Sequence, residues 1–284
     1  MQNSKSKIIL FVLGAILLLL AFFFVLVPAF AGRLTISSVW NIGSLQIHWY
    51  GLVMALAILI CYFVARKKAW KFGIEVSAFD DFVFWLIIVG ILGARLYYVL
   101  FSFSYFSRNP SEIYKIWHGG LSIYGAVLAG LIFCYFYTRK KAYSFLQLTD
   151  LLALVLPLGQ AIGRIGNFIN QEAFGLPTNL PWKMYVAPQY RPIEYSSYNY
   201  FHPTFLYEMI VDLIVFFVLM RLSKKNQRGL VTYSYLFLYS LGRFFIEGIR
   251  LDSFFIAGFR VDQVLALILL IISGFLMLRQ RSIV

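Results

Sequence analysis

Long apolar runs separated by short polar segments extend along the chain, and this spacing predicts helices that cross a membrane. About 20 apolar residues are enough to cross a bilayer. Seven runs of that kind are expected at 47–65, 80–101, 119–138, 145–165, 204–222, 230–247 and 261–279. An eighth run, Ile8 to Val27, precedes them. The predicted fold is an all-α polytopic membrane protein with seven core helices, one extra N-terminal hydrophobic segment and a small external cap.

The first 33 residues admit two interpretations. Lys5 and Lys7 precede the apolar run, and Ala29 to Ala31 resemble a signal-peptidase cleavage site. The run is longer than a usual signal core, which favours a retained additional span. Residues 1–33 are therefore taken as an additional span or signal peptide, ahead of a transmembrane domain at 34–284.

Residues 166–203 form the longest stretch without a helical pattern. Its prolines and many tyrosines make it too polar for lipid and too aromatic for a disordered linker, so we expect a small external cap. Basic clusters at 66–68, 139–141 and 221–228 end alternate spans, as cytoplasmic loops do. The end of the fourth span is therefore expected on the outer side.

Composition agrees with a membrane protein and narrows the possible partners. The 284 residues are 61% hydrophobic and 13% charged, against about 45–50% and 25% in soluble domains. The net charge of +13 lies largely in the clusters that end spans, so we expect no nucleic-acid partner. Cys61 and Cys134 fall in apolar runs and are expected in the core. Three scattered histidines give no metal-binding spacing, so neither a metal nor a cofactor is expected.

The end of the fourth span is unusually rich in hydrogen-bonding groups. Residues 163–175 are Gly-Arg-Ile-Gly-Asn-Phe-Ile-Asn-Gln-Glu-Ala-Phe-Gly. An arginine at membrane depth costs about 2.5–3.5 kcal/mol on insertion scales, so Arg164 needs a partner, a wet cavity or a function. Arg164 and Asn167 share a helix face if the helix continues, and a guanidinium suits phosphate oxygens. The plainer interpretation is that Arg164 and Glu172 neutralise each other.

The sixth span carries a polar stripe on an otherwise apolar helix. Tyr239, Arg243, Glu247 and Arg250 follow one another at spacings of four, four and three. Internal ion pairs facing a bundle interior would explain such a stripe. Arg250 leaves it net positive, however, and a positive stripe suits an anionic ligand.

Further polar groups start or end other spans on the same outer side. They are Tyr50, Arg95, the segment 117–125 and the segment 202–208. An interfacial aromatic belt would also explain Tyr50. Taken together, these groups predict a lipid-facing cavity with more arginines than carboxylates, suited to an anionic lipid headgroup.

Residues 163–175 match throughout the signature Gly-Arg-x-Gly-Asn-Phe-x-Asn-x-Glu-x-x-Gly of bacterial prolipoprotein diacylglyceryl transferases. Supporting matches occur in the family's order: Trp49-Tyr50-Gly51, Gly93-Ala94-Arg95, the Gly-Gly-x-Ser-x-Tyr-Gly run at 119–125, His202-Pro203 with Leu206-Tyr207-Glu208, and Gly242-Arg243-Phe244 with Glu247, Arg250 and Asp252. Over about residues 40–280 the chain resembles this family.

The resemblance implies a transferase in the bacterial cytoplasmic (inner) membrane with its active site toward the outer leaflet. Its substrates would be phosphatidylglycerol and the lipobox peptide of a preprolipoprotein. The diacylglyceryl group would move onto the lipobox cysteine thiol, a thioether would form, and glycerol phosphate would leave. A thiol has a pKa near 8.5, so a base or a strong positive field is required.

The resemblance also implies roles for particular residues. The implied catalytic residues are Arg243, Arg164, Tyr124 and Glu172. The implied substrate-binding residues are Arg164, Asn167, Asn170, Gly175, Tyr50, Arg95, Glu208, Tyr239, Glu247 and Arg250. Some family members carry His at the position of Tyr124, and a free tyrosine, with a pKa of about 10, cannot be assumed to act as a base at neutral pH. His118 is not the aligned position, so the identity of the base stays open.

Two other functions compete with the transferase. A transporter or scramblase for anionic phospholipids would share the arginines and carboxylates but would not require the match at 163–175. A lipid phosphatase usually needs a histidine nucleophile or a metal cluster, which three scattered histidines disfavour.

Overall fold

The computed structural model describes residues 14, 20, 22–43, 45–225 and 227–281, and these residues are mostly helical. The long helices are α1 Trp49–Lys68, α2 Val76–Phe101, α3 Ile123–Thr138, α4 Phe145–Asn170, α5 Thr204–Leu222, α6 Leu230–Glu247 and α7 Val261–Arg281. Each predicted span overlaps one of these helices. The predicted apolar run from Ile8 lies mostly outside the described residues.

Among the described residues, α1, α2, α4 and α7 are long and apolar enough to cross a membrane. Helix α3 is apolar but has only 16 residues. Helices α5 and α6 carry acidic and basic side chains within their length, including Glu208, Asp212 and Arg243. These helices make the chain a multi-pass membrane protein.

Short elements connect the long helices. Three antiparallel pairs lie in the described part of the chain: β1 Val39–Ile42 with β2 Leu45–His48, β3 Met184–Tyr185 with β4 Tyr200–Phe201, and β5 Phe255–Ile256 with β6 Phe259–Arg260. Short helical segments are Phe22–Leu26, Val27–Phe30, Ala69–Phe72, Phe103–Phe106, Pro110–Glu112, Ile116–His118, Pro188–Tyr190, Ile193–Tyr195 and Ser223–Lys225.

Helix α4 is longer than its sequence pattern predicted. It continues to Asn170, five residues beyond the expected end at 165, so the predicted start of the cap at 166 is wrong. Gln171 and Ala173 then adopt φ values of 50° and 54°. Left-handed backbone cannot continue an α-helix, and the chain turns away there. The hydrophobic pattern failed at this end because Asn167 and Asn170 interrupt the apolar run while the helix continues.

The chain divides into two units. The first contains the described residues up to Ala57, together with Leu158–Ile214 and Phe237–Ile272. The second contains Ile58–Pro157, Val215–Leu236 and the described residues from Ser273 onward.

The second unit has an aromatic and aliphatic core. Its buried members include Phe79, Phe82, Cys134, Leu148 and Leu151. The predicted core positions of the cysteines are confirmed: Cys134 is 2% exposed, and Cys61 is half-buried against this core.

Two polar or small residues fix helix positions in this second unit. A Cβ on Gly93 of α2 would lie 2.8 Å from the Gly125 carbonyl oxygen of α3, so the two helices approach closely at this small residue. Buried Asp150 of α4 accepts hydrogen bonds from the backbone N–H groups of Gly229 at 2.5 Å and Thr232 at 2.7 Å. The carboxylate therefore satisfies donors at the start of α6.

The first unit has its own core beside the polar end of α4. Buried residues there are Ala173, Phe174, Met184, Val186, Phe201 and Phe205. Phe30 packs on this cluster, with its ring centroid 5.9 Å from that of Phe168 and 6.3 Å from that of Phe205. The segment before β1 therefore contacts the same structure that ends α4.

Candidate active site

Glu208, in the first turns of α5, joins three arginines in the first unit. Its Oε1 accepts hydrogen bonds of 2.6 Å from Arg243 Nη1 of α6 and from Arg250 Nη1. Its Oε2 lies 2.5 Å from Arg164 Nη2 of α4, an ion pair without hydrogen-bond geometry. Glu208 is only 3% exposed. A single buried carboxylate thus holds arginines from three parts of the chain at one point.

The polar stripe predicted for the sixth span is only partly helical. Arg243 donates to Glu247 Oε2 at 2.5 Å, as their four-residue spacing indicated. Arg243 also lies 3.3 Å from Asp262 Oδ2 at the start of α7. Arg250 follows the end of α6, because that helix stops at Glu247. The turn after α6, and not the helix itself, brings Arg250 to Glu208.

Arg250 is held by a second carboxylate in the same turn. Its Nε and Nη2 donate to Asp252 Oδ1 and Oδ2 at 2.8 and 2.6 Å, a bidentate pair. Burial opposes ionisation of Asp252, but the hydrogen bond and charge of Arg250 outweigh it and hold the pKa of Asp252 below its usual range. Asp252 is therefore ionised at neutral pH.

The expected excess of arginines over carboxylates is not found in this cluster. Within the described residues, three arginines make ion pairs with four carboxylates here: Arg164, Arg243 and Arg250 with Glu208, Glu247, Asp252 and Asp262. The prediction already included Glu208, but it did not include Asp262 of α7, and it counted Arg95, which lies in the second unit. An anion that binds these arginines must therefore displace or neutralise a carboxylate.

The end of α4 forms a chain of amides and charges. Arg164 Nη1 donates to Asn167 Oδ1 at 3.1 Å, which confirms that these two residues share a helix face. Asn167 Nδ2 donates to Glu172 Oε1 at 2.8 Å, and Asn170 Nδ2 lies 3.4 Å from the same oxygen. The plainer interpretation, a direct pair between Arg164 and Glu172, is wrong: Glu208 occupies that place and Asn167 bridges the two residues.

Two glycines of the 163–175 motif allow close approach. A Cβ on Gly166 would lie 2.5 Å from Cδ2 of Tyr50, so the tyrosine ring lies directly on α4. A Cβ on Gly175 would lie 2.7 Å from the Ile249 carbonyl oxygen and 2.8 Å from Thr204 Cγ2. Side chains larger than hydrogen do not fit at either position.

Backbone hydrogen bonds hold the end of the motif between two other segments. The Gly175 N–H donates to the His202 carbonyl at 2.8 Å, and the Leu176 N–H donates to the Ile249 carbonyl at 2.9 Å. Gly175 and Arg250 form an antiparallel bridge. The motif therefore positions Arg250 through the backbone, in addition to presenting Arg164.

A cavity of about 560 Å³ opens beside this cluster. Its walls include Asn170, Glu172 and Asp252, together with Tyr190 and Pro192 from the segment predicted as a cap. Space of this size, next to charged groups, suits part of a lipid headgroup or a peptide segment. Within the described ranges, no group of His, Cys, Asp and Glu side chains is arranged to hold a metal ion.

Arg95 and Tyr124 lie in the second unit, unlike the other predicted site residues. The Arg95 guanidinium donates to backbone carbonyls between α2 and α3, including Ile113 at 2.8 Å and Gly119 at 2.6 Å. Tyr124 is 47% exposed, and its ring centroid lies 6.3 Å from that of Tyr97. The roles of Arg95 and Tyr124 toward substrate stay predictions.

Sequence reasoning missed three charged residues of the first unit. Asp262 pairs with Arg243, and Arg260 donates to the Glu247 carbonyl at 2.7 Å. Asp212 is 1% exposed and lies four residues after Glu208. The rule that an ionisable residue inside an apolar span needs a function would have identified Asp212. Arg260 ends β6 and Asp262 lies in the first turn of α7, and neither gave such a signal.

Apolar helices around a buried arginine–carboxylate cluster define a multi-pass membrane protein with a polar site for an anionic group. Comparison with known families makes this more specific. The family profile described as prolipoprotein diacylglyceryl transferase matches residues 37–279. The chain belongs to the prolipoprotein diacylglyceryl transferase family.

Curated relatives agree with that assignment. The chain is 48% identical over 287 residues to the phosphatidylglycerol–prolipoprotein diacylglyceryl transferase of Thermotoga maritima, an alignment that covers 98% of each chain. It is 47% identical to the enzyme of the same name from Thermotoga petrophila, over 95% of this chain and 94% of the relative. The Acaryochloris marina enzyme is 44% identical over 81% of this chain and 85% of its own length.

Proposed function

We propose that this protein transfers the diacylglyceryl group of phosphatidylglycerol to the lipobox cysteine of a preprolipoprotein. The names of its relatives specify the lipid and the protein substrate. In the reaction, a bond forms between the cysteine sulfur and the glyceryl carbon, and the bond from that carbon to phosphate oxygen breaks. The leaving glycerol phosphate takes the bonding electron pair, and the thiol loses its proton.

The observation that carries this proposal is the attachment of three arginines to one carboxylate. Arg164, Arg243 and Arg250 converge on Glu208. A phosphate group offers oxygens of similar spacing and charge to a carboxylate, so it can take the place of Glu208 on the arginine forks. Arginines held in place before the reaction stabilise charge that develops on the leaving phosphate.

Residues at the end of α4 supply orientation. The Oδ1 of Asn167 accepts a hydrogen bond from the Arg164 guanidinium. The Nδ2 of Asn167 donates a hydrogen bond to Glu172, so Asn167 holds both charged side chains. Asn170 and Glu172 line the cavity, where they can hydrogen-bond the glycerol hydroxyls of the headgroup. Tyr50, Tyr239, Glu247 and Gly175 hold the arginine-bearing segments.

A reconstituted transfer assay tests the proposal. Purified protein is mixed with phosphatidylglycerol and a lipobox peptide, and the peptide is expected to gain the mass of a diacylglyceryl group. A peptide with serine in place of the cysteine is the control and should gain nothing. Arg164→Ala and Arg243→Ala should insert in the membrane and abolish the mass gain. Movement of lipid between leaflets without any mass gain would instead indicate a transporter.

We further propose that α1 to α7 all cross the bacterial inner membrane, with the arginine cluster near its outer leaflet. Basic clusters at 66–68 and 139–141 support cytoplasmic ends for α1 and α3. Residues 171–203 would then form the external cap. Cys61 and Cys134 are first replaced by serine, and a single cysteine is then introduced at Ser196 or at Ser223. A membrane-impermeant maleimide added from outside should react with the cysteine at position 196. It should not react with the cysteine at position 223. The opposite result would refute this topology.

The segment before β1 is proposed to be part of the mature protein. Ala29, within the possible cleavage site, is 8% exposed, and Phe30 packs between Phe168 and Phe205. Cleavage after Ala31 would remove both contacts beside the motif. The intact mass of the mature protein should therefore include residues 1–33, and a mass that begins at Gly32 would refute retention.

A further inference from the structure

Asp212 is a buried acid whose hydrogen bonding the resting structure leaves incomplete. It lies one helical turn after Glu208 on α5 and is 1% exposed. Within the described part of the chain, its Oδ2 has no hydrogen-bond partner and is shielded from solvent. An ionised carboxylate in that position is costly, because burial removes its hydration and no donor replaces it at Oδ2. Asp212 is therefore suited to carry a proton.

The groups that face Asp212 belong to the arginine cluster. They are Arg164 from α4, Glu208 from its own helix, and Arg243 and Tyr239 from α6. Helices α5 and α6 approach closely next to it, since a Cβ on Gly242 would lie 2.6 Å from Val211 Cγ1. The charge on Asp212 is therefore felt by two of the arginines that the proposed reaction uses.

Arg164, like Asp212, has a buried polar atom whose hydrogen bonding is incomplete. Its Nε, like Asp212 Oδ2, is buried and has no hydrogen-bond partner among the described residues. Arg164 Nη1 and Nη2 are occupied by Asn167 and Glu208. When a phosphate displaces Glu208, the Arg164 fork must be held by other groups.

The charge balance of the cluster depends on Asp212. Apart from Asp212, three arginines make ion pairs with four carboxylates among the described residues of the first unit: Arg164, Arg243 and Arg250 with Glu208, Glu247, Asp252 and Asp262. A neutral Asp212 adds no charge to this cluster. An ionised Asp212 adds a further negative charge before any anion arrives, and like charges in a poorly solvated site repel strongly.

We propose that Asp212 is a positioning residue that must hold a proton for the phosphate of phosphatidylglycerol to bind the arginine cluster. This inference rests on the proposed function, since it concerns the lipid substrate of that reaction. The proton comes from solvent, no bond to the lipid changes, and Asp212 acts through Arg164 and Glu208.

The direction of the pH effect follows from the sign of the charge. Phosphatidylglycerol binds best at low pH, where Asp212 is neutral, and affinity falls as rising pH ionises this group. One coupled proton changes affinity by at most about tenfold per pH unit. We expect the dissociation constant to rise between about pH 6 and about pH 9 through ionisation of Asp212, because the phosphate diester itself does not titrate in this range.

The experiment measures binding of short-chain phosphatidylglycerol to the full-length protein in detergent by calorimetry across this pH range. Asp212→Asn, which is permanently neutral, should bind at every pH as tightly as the wild type does at low pH. Asp212→Glu should restore the pH dependence. Asp81→Asn removes an exposed charge of the same chemistry from α2 and should keep the wild-type profile.

A second measurement uses only the wild-type protein, so it stands even if the variants do not fold. In weakly buffered solution at alkaline pH, adding the lipid should cause proton uptake, reported by an indicator dye. If the wild-type protein binds the lipid independently of pH, or binds it without proton uptake, the inference about Asp212 is overturned. The proposed function still stands in that case if the transfer assay shows transfer to the peptide. Failure to bind the lipid at any pH, with no transfer to the peptide, overturns both.

Discussion

Replacing Gly175 by alanine tests whether the backbone of the 163–175 motif positions Arg250. The added Cβ would lie 2.7 Å from the Ile249 carbonyl oxygen, 2.8 Å from Thr204 Cγ2 and 3.1 Å from His202 Cβ. Carbon and oxygen do not approach to 2.7 Å without a bond, so one segment has to move. The carbonyl belongs to the backbone immediately before Arg250, and that backbone cannot relax by a change of rotamer.

The expected cost follows from overpacking at a well-packed position. Inserting a methyl group there costs about 1–3 kcal/mol, and about 1.4 kcal/mol corresponds to a factor of ten. If the displaced Ile249 backbone carries Arg250 away from Glu208, that cost appears as a loss of transfer of about 5-fold to 150-fold. The three-way contact at Glu208 would then be incomplete.

The assay compares transfer rates to the lipobox peptide for Gly175→Ala and for Gly163→Ala. Gly163 is a matched control, since a Cβ there would lie 3.4 Å from Met54 Sδ, at ordinary contact distance. Alanine also favours a helix interior over glycine by about 0.8–1.0 kcal/mol, so Gly163→Ala should retain activity. Equal rates for the two variants, with both proteins folded, would refute the claim that Gly175 is required for space.

Substitutions at three other residues separate local roles. Arg95→Lys keeps the charge but loses the planar donors that hold the loop after α2. Amide hydrogen exchange in that loop should therefore increase while the helices stay protected. Unchanged exchange in the loop would contradict this role. Asn167→Asp keeps an acceptor for Arg164 but places a negative charge against Glu172. The rate of transfer should therefore fall at least about tenfold in Asn167→Asp and by a smaller factor in Asn167→Gln. Tyr124→Phe should keep most of the turnover, because a phenol whose ordinary pKa is about 10 is a poor base at neutral pH; a loss of several orders of magnitude would make its hydroxyl essential.

Several features of the site could be predicted because they depend on spacing along one helix. Arg164 and Asn167 are three residues apart, and Arg243 and Glu247 are four apart, so each pair meets on a helix face. The positions of the seven long helices were also predictable, because each is a long apolar run with polar residues at its ends. The end of α4 was not, because the helix continues past the apolar run through a segment that contains Gly166, Asn167 and Asn170.

Contacts between distant segments could not be derived in the same way. No local pattern pairs Glu208 with three arginines from α4, α6 and the following turn. The ion pair between Asp262 and Arg243 depends on where α7 begins. Because the prediction left out Asp262, it wrongly expected more arginines than carboxylates.

The sequence by itself determined that this chain is a multi-pass membrane protein with arginines at the ends of its spans. Helical periodicity and the cost of placing charge in lipid are local properties, so they can be read from residue order. Only the tertiary structure decided which carboxylate each arginine contacts and where, among the described residues, one oxygen of a buried acid was left without a hydrogen-bond partner. Those outcomes depend on distances between helices far apart in sequence, and the packing of small residues such as Gly175 and Gly242 sets those distances.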